Sequence, residues 1–307
     1  MSAAISAQSL TKSFGRREVL HGVDFSVEAG SVFGVIGPNG AGKTTTMRCL
    51  LDIIRPSGGQ VRVLGEDPRA GGPQLRRRIG YLPGELVLAG RVTGRKLLAH
   101  YAAISGPVPP GRIDELADRL RLDLDRHTRK LSKGNKQKLG LVQAFMHQPE
   151  LLILDEPTSG LDPLVQQEFH GMVHEARDRG QTVFLSSHVL SEIQQTADAV
   201  AILRDGRIIA VESVQGLRAG ATRQVTISAT GITGEDAVAR LAKVPGVSPV
   251  TVVESRTAVT VGAVLAGDVQ PLVQLLASLQ LTDLVIEEPD LEETVLKLYS
   301  GAEGELR

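Results

Sequence analysis

The chain has 307 residues, 42% of them apolar and 22% charged, which suits a folded protein of about two domains rather than a disordered one. Lysine plus arginine number 34 and aspartate plus glutamate 35; the net charge of −1 removes any global electrostatic case for nucleic acid or an anionic membrane. With no tryptophan, three tyrosines and six phenylalanines, the core must be aliphatic, and platforms for base stacking are scarce.

Cys49 is the single cysteine, so no internal disulfide can form and no oxidising compartment is required. Met1 to Leu10 lacks the basic flank and long apolar stretch of a secretion signal. The most apolar long window, Ala258 to Leu281, is broken by Gly262, Gly267, Asp268, Gln270, Pro271 and Gln274 and cannot cross a hydrocarbon core unaided. These features predict a soluble chain of the cytosol.

In chain order, Val32 to Ile36 is a short apolar run, followed by a helix-compatible stretch from Lys43 to Ile54. Leu151 to Leu154 and Thr182 to Leu185 are further apolar runs of strand length. Strands apolar on both faces and separated by helices predict a parallel α/β sheet covered on both sides. Arg91 to Gln148 is mostly helical in pattern, with a break from Gly106 to Gly111, and reads as a helical subdomain spanning residues 85 to 150. Beyond Leu217 the rhythm changes. Val225 to Ala229 alternates, Glu235 to Val244 is helical, and Val247 to Val253 and Thr257 to Val261 flank a polar turn. Asp268 to Leu279 is helical, Leu284 to Ile286 strand-like, and Leu291 to Leu298 helical. The order β-α-β-β-α-β predicts a small α+β, ferredoxin-like domain over 223–307, after a first domain over 1–217.

Gly37-Pro38-Asn39-Gly40-Ala41-Gly42-Lys43-Thr44 fits the phosphate-loop pattern G-x-x-x-x-G-K-[ST], between a strand and a helix. Glycines let backbone N–H groups turn inward around phosphate oxygens, and the helix start adds partial positive charge. Lys43 would reach the β- and γ-phosphates, and the Thr44 hydroxyl would ligate Mg²⁺. Leu151 to Glu156 is an apolar strand ending in two carboxylates. From the neighbouring position in the sheet it would deliver Asp155 to Mg²⁺ and Glu156 to a water facing the γ-phosphate, the pleat sending the two acids to opposite sides. Leu131 to Gln137 reads as a helix start: Ser132 caps, Gly134 admits a close anion, and Lys133, Lys136 and Lys138 raise the local potential.

Over residues 4 to 217 the chain resembles the nucleotide-binding subunits of ABC transporters, of the bacterial antibiotic and multidrug export type. Gly37–Thr44 resembles their Walker A, Leu131–Gln137 their signature and Leu151–Glu156 their Walker B. Ser159-Gly160-Leu161-Asp162 is similar to their D-loop, Ser186-Ser187-His188 to the segment of their switch histidine, and Phe14 stands where they stack an aromatic on adenine. The resemblance implies ATP and Mg²⁺ as cofactors and a P-loop core of ABC type. It implies a head-to-tail dimer in which Ser132, Gly134 and Asp162 of one subunit join Gly37–Thr44 and Thr45 of the other around ATP. His188 would contact the γ-phosphate and Glu156 polarise the attacking water. One departure stands out: after Ile79-Gly80-Tyr81-Leu82-Pro83 the family usually has a glutamine that touches Mg²⁺, and here Gly84 and Glu85 follow. Glu85 is therefore a candidate Mg²⁺ ligand. The implied partners are membrane permease subunits encoded separately and a second copy of this chain, with no nucleic acid. The implied location is the cytoplasmic face of the cell membrane, where the chain would power export of a drug, antibiotic or lipid. The alternative is a soluble ABC ATPase of translation or DNA maintenance, whose double cassettes or coiled-coil insertions are missing. The basic run Arg76 to Arg78 reads as a solvated face.

Overall fold

Alternating apolar and polar residues build two long antiparallel strands, β1 (Ala3–Phe14) and β2 (Arg17–Glu28), which turn at Gly15 with φ of +61°. The structure is a computed structural model that describes residues 3–88, 91–220, 222–255 and 258–287. It divides into two compact units, between Ser213 and Val214.

In the first unit β3 (Val32–Ile36) is buried throughout and leads into α1 (Lys43–Leu50). That helix is shorter than the apolar pattern suggests, because Asp52 adopts a left-handed backbone with φ of +53°. β4 (Gly58–Val63) pairs with β1, giving a three-stranded antiparallel sheet in the order β2-β1-β4 that the parallel reading did not foresee. α2 (Pro68–Arg77) starts on an Asp67 cap, kinks at Gly72 and precedes β5 (Ile79–Leu82).

The helical insertion comprises α3 (Gly94–Ser105), α4 (Arg112–Arg119), a 3-10 turn at Thr128–Lys130 and α5 (Lys133–Phe145). The break between α3 and α4 falls where Gly106 and Gly111 take positive φ around Pro109 and Pro110. The chain then returns to the core as β6 (Leu151–Asp155), α6 (Pro163–Asp178), β7 (Thr182–Ser187), α7 (Leu190–Thr196), β8 (Ala199–Arg204) and β9 (Arg207–Ser213).

These strands form one sheet in the order β5-β6-β7-β3-β8-β9, parallel except for β9. The carboxylate-bearing strand β6 is therefore not beside the phosphate-loop strand β3, as the sequence suggested; β7 lies between them. Phe25, Phe33 and Phe184 stack at centroid separations of 5.6 to 6.0 Å between the two sheets. Cys49 is 2% exposed in the same core, and burial pushes its thiol up to about 11.

The second unit opens with α8 (Val214–Gly220), so the division comes a few residues before the expected 217–223. It continues as β10 (Arg223–Thr230), α9 (Gly234–Leu241), β11 (Val247–Glu254), β12 (Val259–Leu265), α10 (Gln270–Leu276) and β13 (Gln280–Ile286). The sheet order β11-β12-β10-β13, all antiparallel, is that of the ferredoxin-like plan. Val225, Ile227, Val261, Leu265, Leu272 and Leu276 form its separate core. The helix expected at Leu291–Leu298 lies outside the described residues.

Candidate functional site

The loop from Gly37 to Gly42 joins the end of β3 to the first turn of α1, and its glycines are demanded by geometry. A Cβ on Gly37 would stand 2.2 Å from the Leu203 carbonyl oxygen, and Gly42 has φ of +112°. No side chain caps α1, so its first N–H groups face the loop without intrahelical partners. Asn39, Gly40, Ala41, Gly42, Thr44 and Thr45, with Pro38 and Lys43, line a cavity of about 320 Å³ together with Glu156, Arg17 and Val19.

Within this cradle Lys43 is only 6% exposed and its amine is held tightly: it donates to the Gly37 carbonyl at 2.6 Å and stands 3.3 Å from Glu156 Oε1. The other Glu156 oxygen, Oε2, accepts from His188 Nδ1 at 2.7 Å. Glu156 thus bridges a buried cation and an imidazole that remains exposed. The Glu156–His188 hydrogen bond places the proton on Nδ1, because a carboxylate can only accept. Glu156 lies one residue past β6 with φ of +48°, so a left-handed turn rather than pleat alternation separates its direction from that of Asp155.

Asp155 is fully buried. Its Oδ2 accepts from the Thr44 hydroxyl at 2.7 Å and its Oδ1 from the Ser186 hydroxyl at 2.7 Å, which satisfies the charge across the gap between β3 and β6. Ser186 also accepts from the Glu156 amide at 3.1 Å. A hydroxyl and a carboxylate side by side are hard oxygen donors, and they fit Mg²⁺, which keeps most of its shell for water and phosphate. Gly84 is the residue that closes on this pair: a Cβ there would lie 3.0 Å from Asp155 Oδ2. Glu85 is exposed and makes no hydrogen bond or ion pair among the described residues, so the structure does not join it to Thr44 and Asp155.

Ser132 caps α5, accepting from the Asn135 amide at 3.3 Å. The close approach that requires glycine at 134 is to protein backbone: a Cβ would stand 2.5 Å from the Gly160 carbonyl oxygen. Lys133 donates to Ser159 at 3.1 Å, and the buried Gln137 amide donates to the carbonyls of Glu156 and Pro157. The signature-like helix is thereby tied to the segment after Glu156 in the same chain. Asp162 caps α6; the Val165 N–H it accepts holds its carboxyl below the usual range. Ser132, Gly134 and Asp162 do not line the phosphate cavity. Nor does Phe14, which is half exposed at the end of β1 with the Lys12 amine 4.9 Å from its ring centre.

Sequence reasoning gave no role to Arg17, Ser186 or Gln137. The cross-strand pairing of Phe14 with Arg17 and the parallel register of Asp155 with Ser186 carry the first two to the site, and Gln137 reaches it through its bonds to the Glu156 and Pro157 carbonyls.

A family described as ABC transporter matches residues 20–159. The bacitracin transport ATP-binding protein of Bacillus licheniformis is 40% identical over 214 residues, 68% of this chain and 69% of that protein. The chain belongs to the ABC transporter family. The fluoroquinolones export ATP-binding protein of Mycobacterium tuberculosis is 35% identical over 210 residues, 67% of this chain and 68% of that protein. A solved ATP-binding subunit of an ABC transporter matches with a TM-score of 0.65 at 30% identity, covering 70% of this chain and 92% of that one. This ABC protein is accordingly an ATP-binding subunit and an ATPase of a transport system. No helix among its described residues is long and apolar enough to cross a membrane.

Proposed function

We propose that two copies of this ABC subunit close head to tail on two ATP molecules and drive a separate membrane permease that exports a drug, antibiotic or lipid. The observation that carries the catalytic part is the Glu156 carboxylate held between Lys43 and His188 at the mouth of the phosphate cradle. The backbone N–H groups of Gly40 to Thr45 bind phosphate oxygens, and Lys43 exchanges Glu156 for the terminal phosphate. Glu156, freed from that ion pair, orients a water and accepts its proton. His188, with Nδ1 on Glu156, meets phosphate through Nε2, which donates only in the imidazolium form. Thr44 and Asp155 would hold Mg²⁺, which would supply charge neutralisation when bound. Ser132 and Gly134 of the partner subunit's signature segment complete the enclosure, and Asp162 shapes the segment between the two sites.

Export is supported by the relatives named for bacitracin transport and fluoroquinolone export. A permease as separate subunit would place this chain on the cytoplasmic face of the membrane, docked through the surface around Gly84 and the helical insertion. The second unit, over 223–307, would serve dimerisation or regulation.

Lys43→Ala should abolish ATP binding. Glu156→Gln should keep ATP binding, lower turnover by at least about a hundredfold and accumulate as a nucleotide-bound dimer. Binding by calorimetry, phosphate release and light scattering measure the three. Tight ATP binding by Lys43→Ala, or a Glu156→Gln protein that stays monomeric with ATP, would overturn the proposal.

A further inference from the structure

His188 follows directly on the end of β7, and its side chain is 54% exposed. Among the described residues its ring makes a single hydrogen bond, to Glu156. In the cycle proposed above, Glu156 changes partners when phosphate arrives, so this bond alone cannot keep the imidazole aimed. The aim has to come from the backbone that carries the ring.

That backbone is gripped on both sides of His188 by one hydroxyl. Ser187, only 1% exposed at the last position of β7, accepts from the Val189 amide at 2.9 Å and donates to Glu192 Oε2 at 2.6 Å. The bond from Val189 closes a tight turn over His188. Glu192 lies in the first turn of α7, partly buried, and its carboxylate is hydrogen-bonded to Ser187 alone among the described residues. A hydroxyl donor at 2.6 Å is at the distance expected for an ionised acceptor. The hydroxyl has one hydrogen; Glu192 takes it and so leaves the oxygen lone pairs for Val189. Val189 itself offers α7 no capping side chain, so this strap joins the end of β7 to the start of α7 with His188 at the corner. We infer that Glu192 is a positioning residue for ATP hydrolysis, holding His188 toward the terminal phosphate through Ser187. The inference rests on the reading of the cradle as the ATP site.

Glu192 does not line the cavity, so its loss should spare nucleotide affinity and act on turnover. Glu192→Ala should lower kcat about tenfold, with the ATP dissociation constant and KM within about twofold of wild type. Ser187→Ala should do the same. Reach and charge can be separated. Glu192→Asp keeps the charge but falls short by about 1.5 Å, too far to take the hydroxyl, and should match Glu192→Ala. Glu192→Gln keeps the reach, accepts through its amide oxygen, and should recover turnover to within about threefold of wild type. Phosphate release and calorimetry on the full chain, beside a thermal melt, measure these. His188→Ala should itself lower turnover, and adding Glu192→Ala to it should lower turnover by less than about twofold more, because both act through one imidazole. Wild-type turnover in Glu192→Ala or Glu192→Asp, a loss in ATP affinity instead of kcat, or losses that multiply in the double variant would each overturn the inference. If His188→Ala loses turnover while Glu192→Ala does not, the ATP-site reading survives and only the role of Glu192 fails. If His188→Ala turns over like wild type, the role of His188 in that reading falls, and this inference with it.

Discussion

Asp155 shows how much of this site depends on one buried carboxylate and the space beside it. Two hydroxyls, from Thr44 and Ser186, hold it in place, and Gly84 leaves just enough room for it. A methyl group at position 84 would press on Asp155 Oδ2 at 3.0 Å and on Cγ at 3.1 Å, tighter than ordinary contact. Gly84→Ala should therefore tilt the carboxylate away from Thr44 and weaken the hard-oxygen pair that fits Mg²⁺. The expected outcome is a higher Mg²⁺ requirement for hydrolysis, by about tenfold, with a stability loss of about 1 kcal/mol. A Mg²⁺ titration of phosphate release, beside a thermal melt, measures both. Identical Mg²⁺ profiles for the variant and the wild type would show that the crowding is absorbed elsewhere. The same spacing explains why a larger side chain is not simply missing at position 84: at this backbone position even a Cβ is crowded.

Between elements, an ionic strap joins α4 to α6. Arg119 donates from Nε to Glu168 at 2.5 Å and through both terminal nitrogens to Glu175 at 2.6 and 2.9 Å. It fastens the helical insertion to the helix that follows Asp162. The Arg119 guanidinium holds the Glu175 carboxyl below its ordinary value. A depressed folded-state value stabilises the protein above the unfolded carboxylate range, and that contribution disappears as pH falls through the folded value. Arg119→Ala should cost about 1 kcal/mol at pH 7, given that Glu175 is 41% exposed and screened by solvent. The gap to wild type should begin to narrow near the ordinary carboxylate range and go on closing as pH falls through the depressed Glu175 value. Urea unfolding at pH 7 and pH 4 measures it, and an equal deficit at both would contradict the electrostatic origin. Neither this strap nor the order of the central sheet is legible in the sequence. The phosphate loop is legible because its chemistry needs consecutive residues, and the ferredoxin-like unit because its strands and helices alternate in the plan's own order. The insertion of β7 between β3 and β6 arises from pairings between distant segments. Local pattern carries no trace of them. The left-handed turn at Glu156 was hidden for a different reason: a glutamate gives no sign that it will take φ of +48°.

Across the whole molecule, each unit has a core of its own. The first gathers Leu20, Met47, Cys49, Leu50, Phe184 and Ala201 among others, and the second is built from Val225, Ile227, Leu241, Val261 and Leu272. Two separate cores predict that a chain ending at Ser213 still folds, since the cut removes no strand from either sheet of the first unit. Cys49 supplies a direct readout. Its thiol is buried and its pKa is pushed up to about 11, so it is almost wholly protonated and shielded at pH 8; alkylation then requires the core to open. Iodoacetamide labelling of the shortened chain should be as slow as in the full chain, to within about threefold, and should become fast only across the urea transition of the first unit. ATP hydrolysis per site should persist as well, at a rate that reports what the second unit contributes to pairing of two copies. Rapid labelling of the shortened chain in the absence of denaturant would mean that the first core needs the residues beyond Ser213 to stay closed. Independence of the two units would then be refuted, and with it the view of the second as an accessory that modulates the ATPase without forming part of its fold.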